Sequence, residues 1–500
     1  MIADVGALIA FRVGSGPRGW VRLGAVWLVL GALLVGAAVL PVGRATDPAV
    51  VETVRLLLPT AFLAFAVTAC LAAIGAAGGR ELIAREHAVA FPVAPHVDHL
   101  GALLLSPLNL AWMLQCLSLV GLTSFSVPAG ASVAAALAVT ALWVVTATVV
   151  SQALSWAAEW VRTLPHGAWL LRGVGALVAT AVVLAVSRSS VTALVDASPT
   201  RRWGAAAYLG TDGTWLLWAQ RLAELLGLLV VAYVAGLGIA SALARRARRE
   251  ESRAETRRVA RRPAPVTDLA AVLRSDRAGV WRSVPLRRAA AVLAVLPGAV
   301  AGVGRIPWET MPVLPGLVGS GAALLFGVNA WCLDGAGAWW RESLPAPPRL
   351  LLAARTIVVT ETVAGAMAVA LLLAVFRARE TPSLAQVVAV SCATLVITGQ
   401  IVVRSLAWSV ARPYAADLRG ARATPAPPGA MAGYSARLAL TTTVTGVAFG
   451  ICGTAGRTDL ALLLTLVLSA LVARRARRVV RAWDVPLTRM LVTATVARQA

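Results

Sequence analysis

The sequence contains no lysine; all 46 basic residues among its 500 positions are arginine. A Walker A loop needs its lysine to reach the β- and γ-phosphates of a nucleotide, so this chain cannot build one. A lysine Schiff base is excluded on the same ground. If ATP drives the protein, another chain hydrolyses it. Charge is scarce as well. Charged residues make up 14% of the chain, against about 25% in ordinary soluble proteins. Cysteine is sparse and scattered: Cys70, Cys116, Cys332, Cys392 and Cys452 stand in or beside apolar runs, with no Cys-x-x-Cys. That pattern supports neither a disulfide framework nor a cysteine metal site. Of the four histidines, His96 and His99 share a helix face in "HVDH", with Asp98 or His87 as a third donor. A fourth ligand and an HExxH pattern are missing, so no metal site is expected, and the histidines read as surface groups at a lipid headgroup boundary.

Apolar residues fill the space left by the missing charge. They are 59% of the chain, and the mean hydropathy is +0.77. Runs such as Leu23–Gly43 and Leu56–Gly79 are nearly free of charge. A helix needs about 20 apolar residues to cross a bilayer core, and both runs qualify. They are continuous, whereas barrel strands alternate over about 10 residues. The fold class expected is therefore an all-α polytopic membrane protein. Twelve spans are read near 22–41, 56–77, 101–124, 131–152, 170–187 and 214–242, then 289–304, 313–332, 351–376, 384–409, 433–452 and 458–473. The first run follows Arg12, Arg18 and Arg22 and is too long for a secretory signal, so it is expected to be retained.

The net charge of +23 would suggest nucleic acid in a soluble protein. Here the arginines gather in alternate loops between apolar runs, as a positive-inside bias demands, and no nucleic-acid partner is expected. The bias places both termini in the cytoplasm and the protein in the cell membrane as a multi-pass chain, with the lipid bilayer as its surroundings. The longest external loop is 188–212. The arginine-rich stretch Ala244–Pro265 is expected to be a cytoplasmic linker, a solvated helical extension or an anchor for acidic lipid or an acidic partner. It separates a first six-span unit, 1–243, from a second, 266–474, and a basic tail follows at 475–500. The 17 tryptophans, Trp20, Trp112, Trp339 and Trp340 among them, fit interfacial belts.

The two halves look duplicated. "FPVAP" (Phe91–Pro95) matches "LPAPP" (Leu344–Pro348) at an offset that also aligns Glu81 with Asp334. Both follow an Arg-Glu pair, Arg85-Glu86 and Arg341-Glu342, and both lead into the third span of their half. "DVGALIAFRV" from Asp4 and "DLAAVLRSDR" from Asp268 each suit a short interfacial helix before the first span. Proline ends a helix and disfavours helix in the residue before it. Each loop is thus expected to give a short rigid cytoplasmic element, then a sharp entry into the membrane. Such an element, carrying charge, is a docking handle.

At these residues the sequence resembles a type-2 permease of the ATP-binding-cassette (ABC) exporters. The resemblance rests on "VAFPVAPHVDHLGALLLSPLNLAW" and "FGVNAWCLDGAGAWWRESLPAPPRLLLAAR", and with two units fused it covers nearly the whole chain. It implies a coupling helix between spans two and three, an interfacial helix before span one, and alternating access powered by a separate cytoplasmic ABC ATPase in two copies. The chain itself would hold no cofactor; ATP and Mg would sit on the partner. Glu81, Arg85, Glu86, Pro92, Pro95 and Asp98 in one half, and Asp334, Arg341, Glu342, Pro345, Pro348 and Arg349 in the other, are then the candidates for ATPase docking. The family often carries short external helices between spans five and six. Residues 188–212 offer room for them, and "GTAGRTDL" (Gly453–Leu460) does not. The substrate is not legible.

Glu361 lies inside the ninth span. An intramembrane acid is costly, so it is a candidate for the transport path, the alternative being a partner for Arg355 six residues earlier. Glu224 is expected to pair with Arg221. Asn109 and Gln115 suit either interhelical hydrogen bonds or the path. Two other functions are open. A secondary, ion-coupled transporter also has two six-span halves and would need Glu361. A membrane-embedded glycosyl or lipid transferase would need the carboxylates Asp47 and Glu52.

Overall fold

The structure, a computed structural model, describes residues 31–42, 48–75, 94–104, 110–127, 133–167, 195–210, 212–245, 265–325, 327–376, 380–415 and 425–498, with isolated positions beside them. Contacts divide the chain into two compact units, Met1–Arg257 and Arg258–Ala500. Among the described residues every regular element is a helix. Six are long and apolar enough to cross a membrane: Ala49–Cys70, Val133–Arg162, Trp215–Ala244, Pro348–Val375, Leu384–Ala411 and Gly433–Thr454. This is the architecture of a helical membrane protein. The expected span at 22–41 is described from residue 31 on and is helical over 31–39; the span at 170–187 lies largely outside the described residues, as do the interfacial helix from Asp4 and most of the linker.

The first unit is built from α1 (Pro48–Gly75), α2 (Pro95–Leu104), α3 (Leu110–Phe125), α4 (Val133–Arg162), α5 (Thr200–Leu209) and α6 (Trp215–Ala244). Helix α4 is its axis, packed on α1 and α6. Phe62 of α1 stacks on Trp143 of α4 at 5.6 Å, and the Trp143 indole donates to the Phe62 carbonyl (3.2 Å). The 188–212 region supplies α5, a short helix wedged between α1, α4 and α6 with Ala206 and Ala207 in the core. The span expected at 101–124 is two described helices, α2 and α3.

The second unit holds α7 (Asp268–Arg282), α8 (Val284–Gly304), α9 (Leu314–Ser320), α10 (Ala338–Glu342), α11 (Pro348–Val375), α12 (Leu384–Ala411), α13 (Pro428–Thr454), α14 (Thr458–Asp484) and α15 (Pro486–Val496). Three of these, α11, α12 and α13, are long and apolar enough to cross a membrane, and two contacts mark the ends of the unit. Trp308 donates to the Glu380 carbonyl (2.9 Å) at one end. At the other, arginine-rich end, Trp483 donates to the Pro348 carbonyl (3.0 Å). The tetrapeptide Pro-Ala-Pro-Pro occurs twice, at 345–348 and 425–428. Each time its last proline opens a long helix, α11 or α13, after an extended proline. Proline suits this place, since the first helical N–H has no partner to lose. At the start of α12, Ser383 and Gln386 form a reciprocal capping box.

One pass differs from expectation. Residues 313–332 are not a single helix. The chain makes a 3-10 turn at Met311–Val313, the two turns of α9, and another 3-10 turn at Gly321–Leu324, then finishes without helix. Pro312, Pro315, Gly316, Gly319, Gly321 and Gly327 are the reason: they withhold N–H groups and weaken helix. Broken backbone is tolerated at membrane depth only where protein satisfies it. Helices α8, α11, α12 and α13 surround α9, with Leu314, Val318, Leu325 and Val328 buried among them. The Thr442 hydroxyl donates to the Gly316 carbonyl (3.3 Å), and the Ala330 N–H donates to Ser409 Oγ (2.7 Å). Close approach is part of the device. A Cβ built on Gly446 of α13 would stand 2.6 Å from the Pro312 oxygen.

Candidate functional site: a buried charge cluster at the arginine-rich end

Four charges from four segments of the second unit meet where the broken pass ends. Asp276 comes from α7, Asp334 from the turn after the broken pass, Arg341 from α10 and Arg355 from the second turn of α11. Arg355 is wholly buried and the Asp276 side chain is 2% exposed. Arg355 Nη2 reaches Asp334 Oδ1 at 2.7 Å, and its Nε lies 3.2 Å from Asp276 Oδ2. Arg341 bridges the same two carboxylates, at 3.0 Å from Asp334 Oδ1 and 3.2 Å from Asp276 Oδ2. Two positive and two negative charges thus cancel in a dry setting. An isolated ion there would be prohibitive, so the match is the condition for burial. Arg355 also donates to the Ala330 carbonyl (2.6 Å) and lies over the Trp331 ring.

The C-terminal part of the unit closes over this cluster. Trp483 stacks face to face on Trp331 at 4.1 Å. Arg489 of α15 donates to Glu342 (3.1 Å) and to the Trp483 and Asp484 carbonyls. Arg349, at the first turn of α11, grips Asp484 (2.8 Å); that guanidinium's hydrogen bonds hold the Asp484 carboxyl below the usual carboxylate range. Helix α7, the 334–349 loop, the start of α11 and the end of α14 are therefore tied into one block.

Only part of the expected handle faces outward. Asp334 and Arg341 are committed to the internal cluster, and Glu342 is paired with Arg489. Arg349, Pro345 and Pro347 are exposed. Trp339 and Trp340 are 52% and 67% exposed, and they are the large apolar groups of the loop. In the first unit Glu81, Arg85, Glu86 and Pro92 lie outside the described residues, as do His87, Asp47 and Asn109. Pro95 begins α2 and Asp98 follows in its first turn, both half-buried. Gln115 accepts from the Thr68 hydroxyl (3.0 Å), joining α3 to α1. His99 is not a surface group. It is buried against Tyr233, and its Nδ1 accepts from the Trp156 indole (3.0 Å). No group of three His, Cys, Asp or Glu that could hold a metal occurs among the described residues. Glu224 pairs with Arg221 at 2.5 Å.

Glu361 does not pair with Arg355. Its carboxylate takes both arms of Arg277 on α7. Asp276 and Arg277 are adjacent, so α7 is clamped to α11 twice, through Arg355 and through Glu361. The outer clamp is exposed on both sides. Such pairs contribute little and weaken with salt. Glu361→Gln is accordingly expected to leave the unfolding midpoint in detergent almost unchanged, whereas removal of an ion-coupling acid would abolish transport. A transport assay beside a melting curve reads both.

Asp276, Arg355, Trp331 and Trp483 are absent from the sequence-based candidates. Arg355 carried a usable signal, a charge inside an otherwise apolar helix. A scan against protein-family models, curated proteins and solved structures returns no match to the chain.

Proposed function

We propose that the chain is the membrane-spanning permease of an exporter whose ATPase is a separate cytoplasmic protein. The observation that carries this reading is the tied block at the arginine-rich end of the second unit. A partner pushing on the 334–349 loop would move α7, α11 and α14 together, because buried ion pairs and the tryptophan stack join them. Beside them lies the broken pass, whose short elements can repack more readily than a full helix. Only an input that differs between two membrane states can shift their balance, and ATP-driven docking on this loop is such an input. The missing lysine agrees, since this chain cannot grip the nucleotide itself. The exposed Trp339 and Trp340, with Pro345 and Arg349, form the docking face; Asp334 and Arg341 hold its shape from within. ATP and Mg belong to the partner, and the substrate is unassigned.

The test is purification of the full chain in mild detergent, with a search for a stoichiometric companion showing vanadate-sensitive ATPase activity. The companion is expected with the native chain and is expected to be lost from Trp339→Ala/Trp340→Ala, with the unfolding midpoint unchanged. A chain that purifies alone and shows no nucleotide dependence would reject the reading. One observation favours a second function. Discontinuous crossings are a hallmark of ion-coupled transporters, where freed backbone groups hold ions. Transport that survives ATP depletion at a constant ion gradient would select that reading.

A further inference from the structure

The arginine-rich end of the second unit holds a second group of guanidiniums, and among the described residues no acid pairs with this one. Arg404 and Trp408 stand one turn apart on α12, and Arg412 follows as the residue that caps its C-terminus. The Arg412 guanidinium lies over the Trp408 ring at 4.7 Å, and that of Arg437 from α13 lies over the same ring at 5.4 Å. Arg404 donates from Nη1 to Thr441 Oγ1 (2.7 Å), one turn along α13 from Arg437. Arg475 of α14 adds its like charge beside Arg404. No ion pair joins Arg404, Arg412 or Arg437 to a carboxylate among the described residues, though the Arg341–Arg355 cluster at the same end is matched one for one. Arg404 Nε and Trp408 Nε1, both buried, find no acceptor.

Arg404 is half-buried and Arg412 and Arg437 are exposed; like charges brought together repel one another unless an anion sits among them. The surroundings indicate which anion. Leu440 and Val444 continue the face of Arg437 along α13, and Leu471 does so for Arg474, Arg475 and Arg478 on α14. All three leucine and valine side chains are exposed. An apolar strip that ends in guanidiniums fits a molecule with acyl tails and an anionic head. Guanidinium forks bind phosphate oxygens in pairs. An excess of arginine marks the cytoplasmic side, whose leaflet carries acidic lipid.

We propose that Arg404, Arg412 and Arg437, set around Trp408, form a binding site for the phosphate head of an acidic phospholipid. The site is independent of how transport is powered. Native mass spectrometry of the full chain, equilibrated with equal amounts of phosphatidylglycerol and phosphatidylcholine, tests it. The native chain is expected to retain phosphatidylglycerol in preference. Arg412→Gln/Arg437→Gln is expected to lower that preference about fivefold per arginine, the equivalent of about 1 kcal/mol for each basic side chain at an acidic surface. Arg349→Gln, which removes a guanidinium already matched by Asp484, is expected to leave it unchanged. If the double variant does not fold, the native chain still decides. Phosphatidylglycerol retention that falls with rising salt, while phosphatidylcholine retention does not, supports the site. Equal retention of the two lipids, an unchanged preference in the double variant, or salt-independent retention overturns it. Displacement of the lipid by low concentrations of inorganic phosphate also overturns it, since the site would then take a free anion.

Discussion

Arg355→Met is expected to be the most damaging single substitution in the second unit. The new side chain fits the volume and removes the charge. Asp276 and Asp334 would then share Arg341 alone, leaving one negative charge uncompensated in a dry site. Breaking a buried pair from one side costs about 3–5 kcal/mol, a large fraction of the margin by which proteins stay folded. Unfolding in detergent, followed by tryptophan fluorescence, should show the loss directly, because Trp331 sits under the guanidinium. The second arm of the test is Arg355→Met/Asp334→Asn. It restores neutrality, with Asp276 facing Arg341, and should recover part of the loss. Coupling of about 0.5–3 kcal/mol between contacting sites is usual. An unchanged midpoint in Arg355→Met, or strict additivity in the double variant, would mean that the cluster does not hold the block together.

Gly298→Ala is expected to act against helix propensity. Alanine in place of glycine inside a helix is favourable by about 0.8–1.0 kcal/mol. At 298, however, α8 crosses α11 in close contact, and the new Cβ would stand 2.4 Å from the Ala370 oxygen. Backbone cannot swing aside as a flexible side chain can, so α8 and α11 must separate. Overpacking costs about 1–3 kcal/mol, occasionally more, which outweighs the gain. Gly365 of α11 provides the contrast, because no atom lies within 4 Å of a Cβ there. Gly365→Ala should therefore be neutral or mildly stabilising in the same unfolding assay. Equal effects at the two positions would refute the claim that the crossing depends on glycine.

Apolar length made the long helices legible. α4, α6, α11 and α12 each carry an apolar run that nothing but a membrane or a large core can hide. Length is also what hid the broken pass. "MPVLPGLVGSGAALLFGVNAWC" (residues 311–332) is apolar enough to average as a span, yet its prolines and glycines deny it a helix. Read one by one, they announce the break. The span expected at 458–473 ends where the apolar run does, and the helix that contains it, α14, carries on through its arginines to Asp484. The charge cluster was harder to see. Asp276 lies 79 residues from Arg355 and 65 from Arg341, and no periodicity links residues so far apart. Glu361 shows the same limit: its partner was sought six residues away and lies 84 away on α7. Local spacing did succeed where the chemistry is local, as with Arg221 and Glu224.

The order of synthesis gives the tryptophan stack a further meaning. Asp276 and Asp334 leave the ribosome before Arg355, so the arginine enters the membrane with its counter-charges already made. Trp331 waits much longer. Its partner Trp483, and Arg489 that fastens α15 to Glu342, are made more than a hundred residues afterwards. Until they arrive, the ring over the cluster stays open on one side. Closure of the stack therefore cannot precede the synthesis of α14. A chain stalled or clipped before Trp483 would carry all the long helices that precede α14, yet display an unfinished surface at the membrane edge for quality control to find.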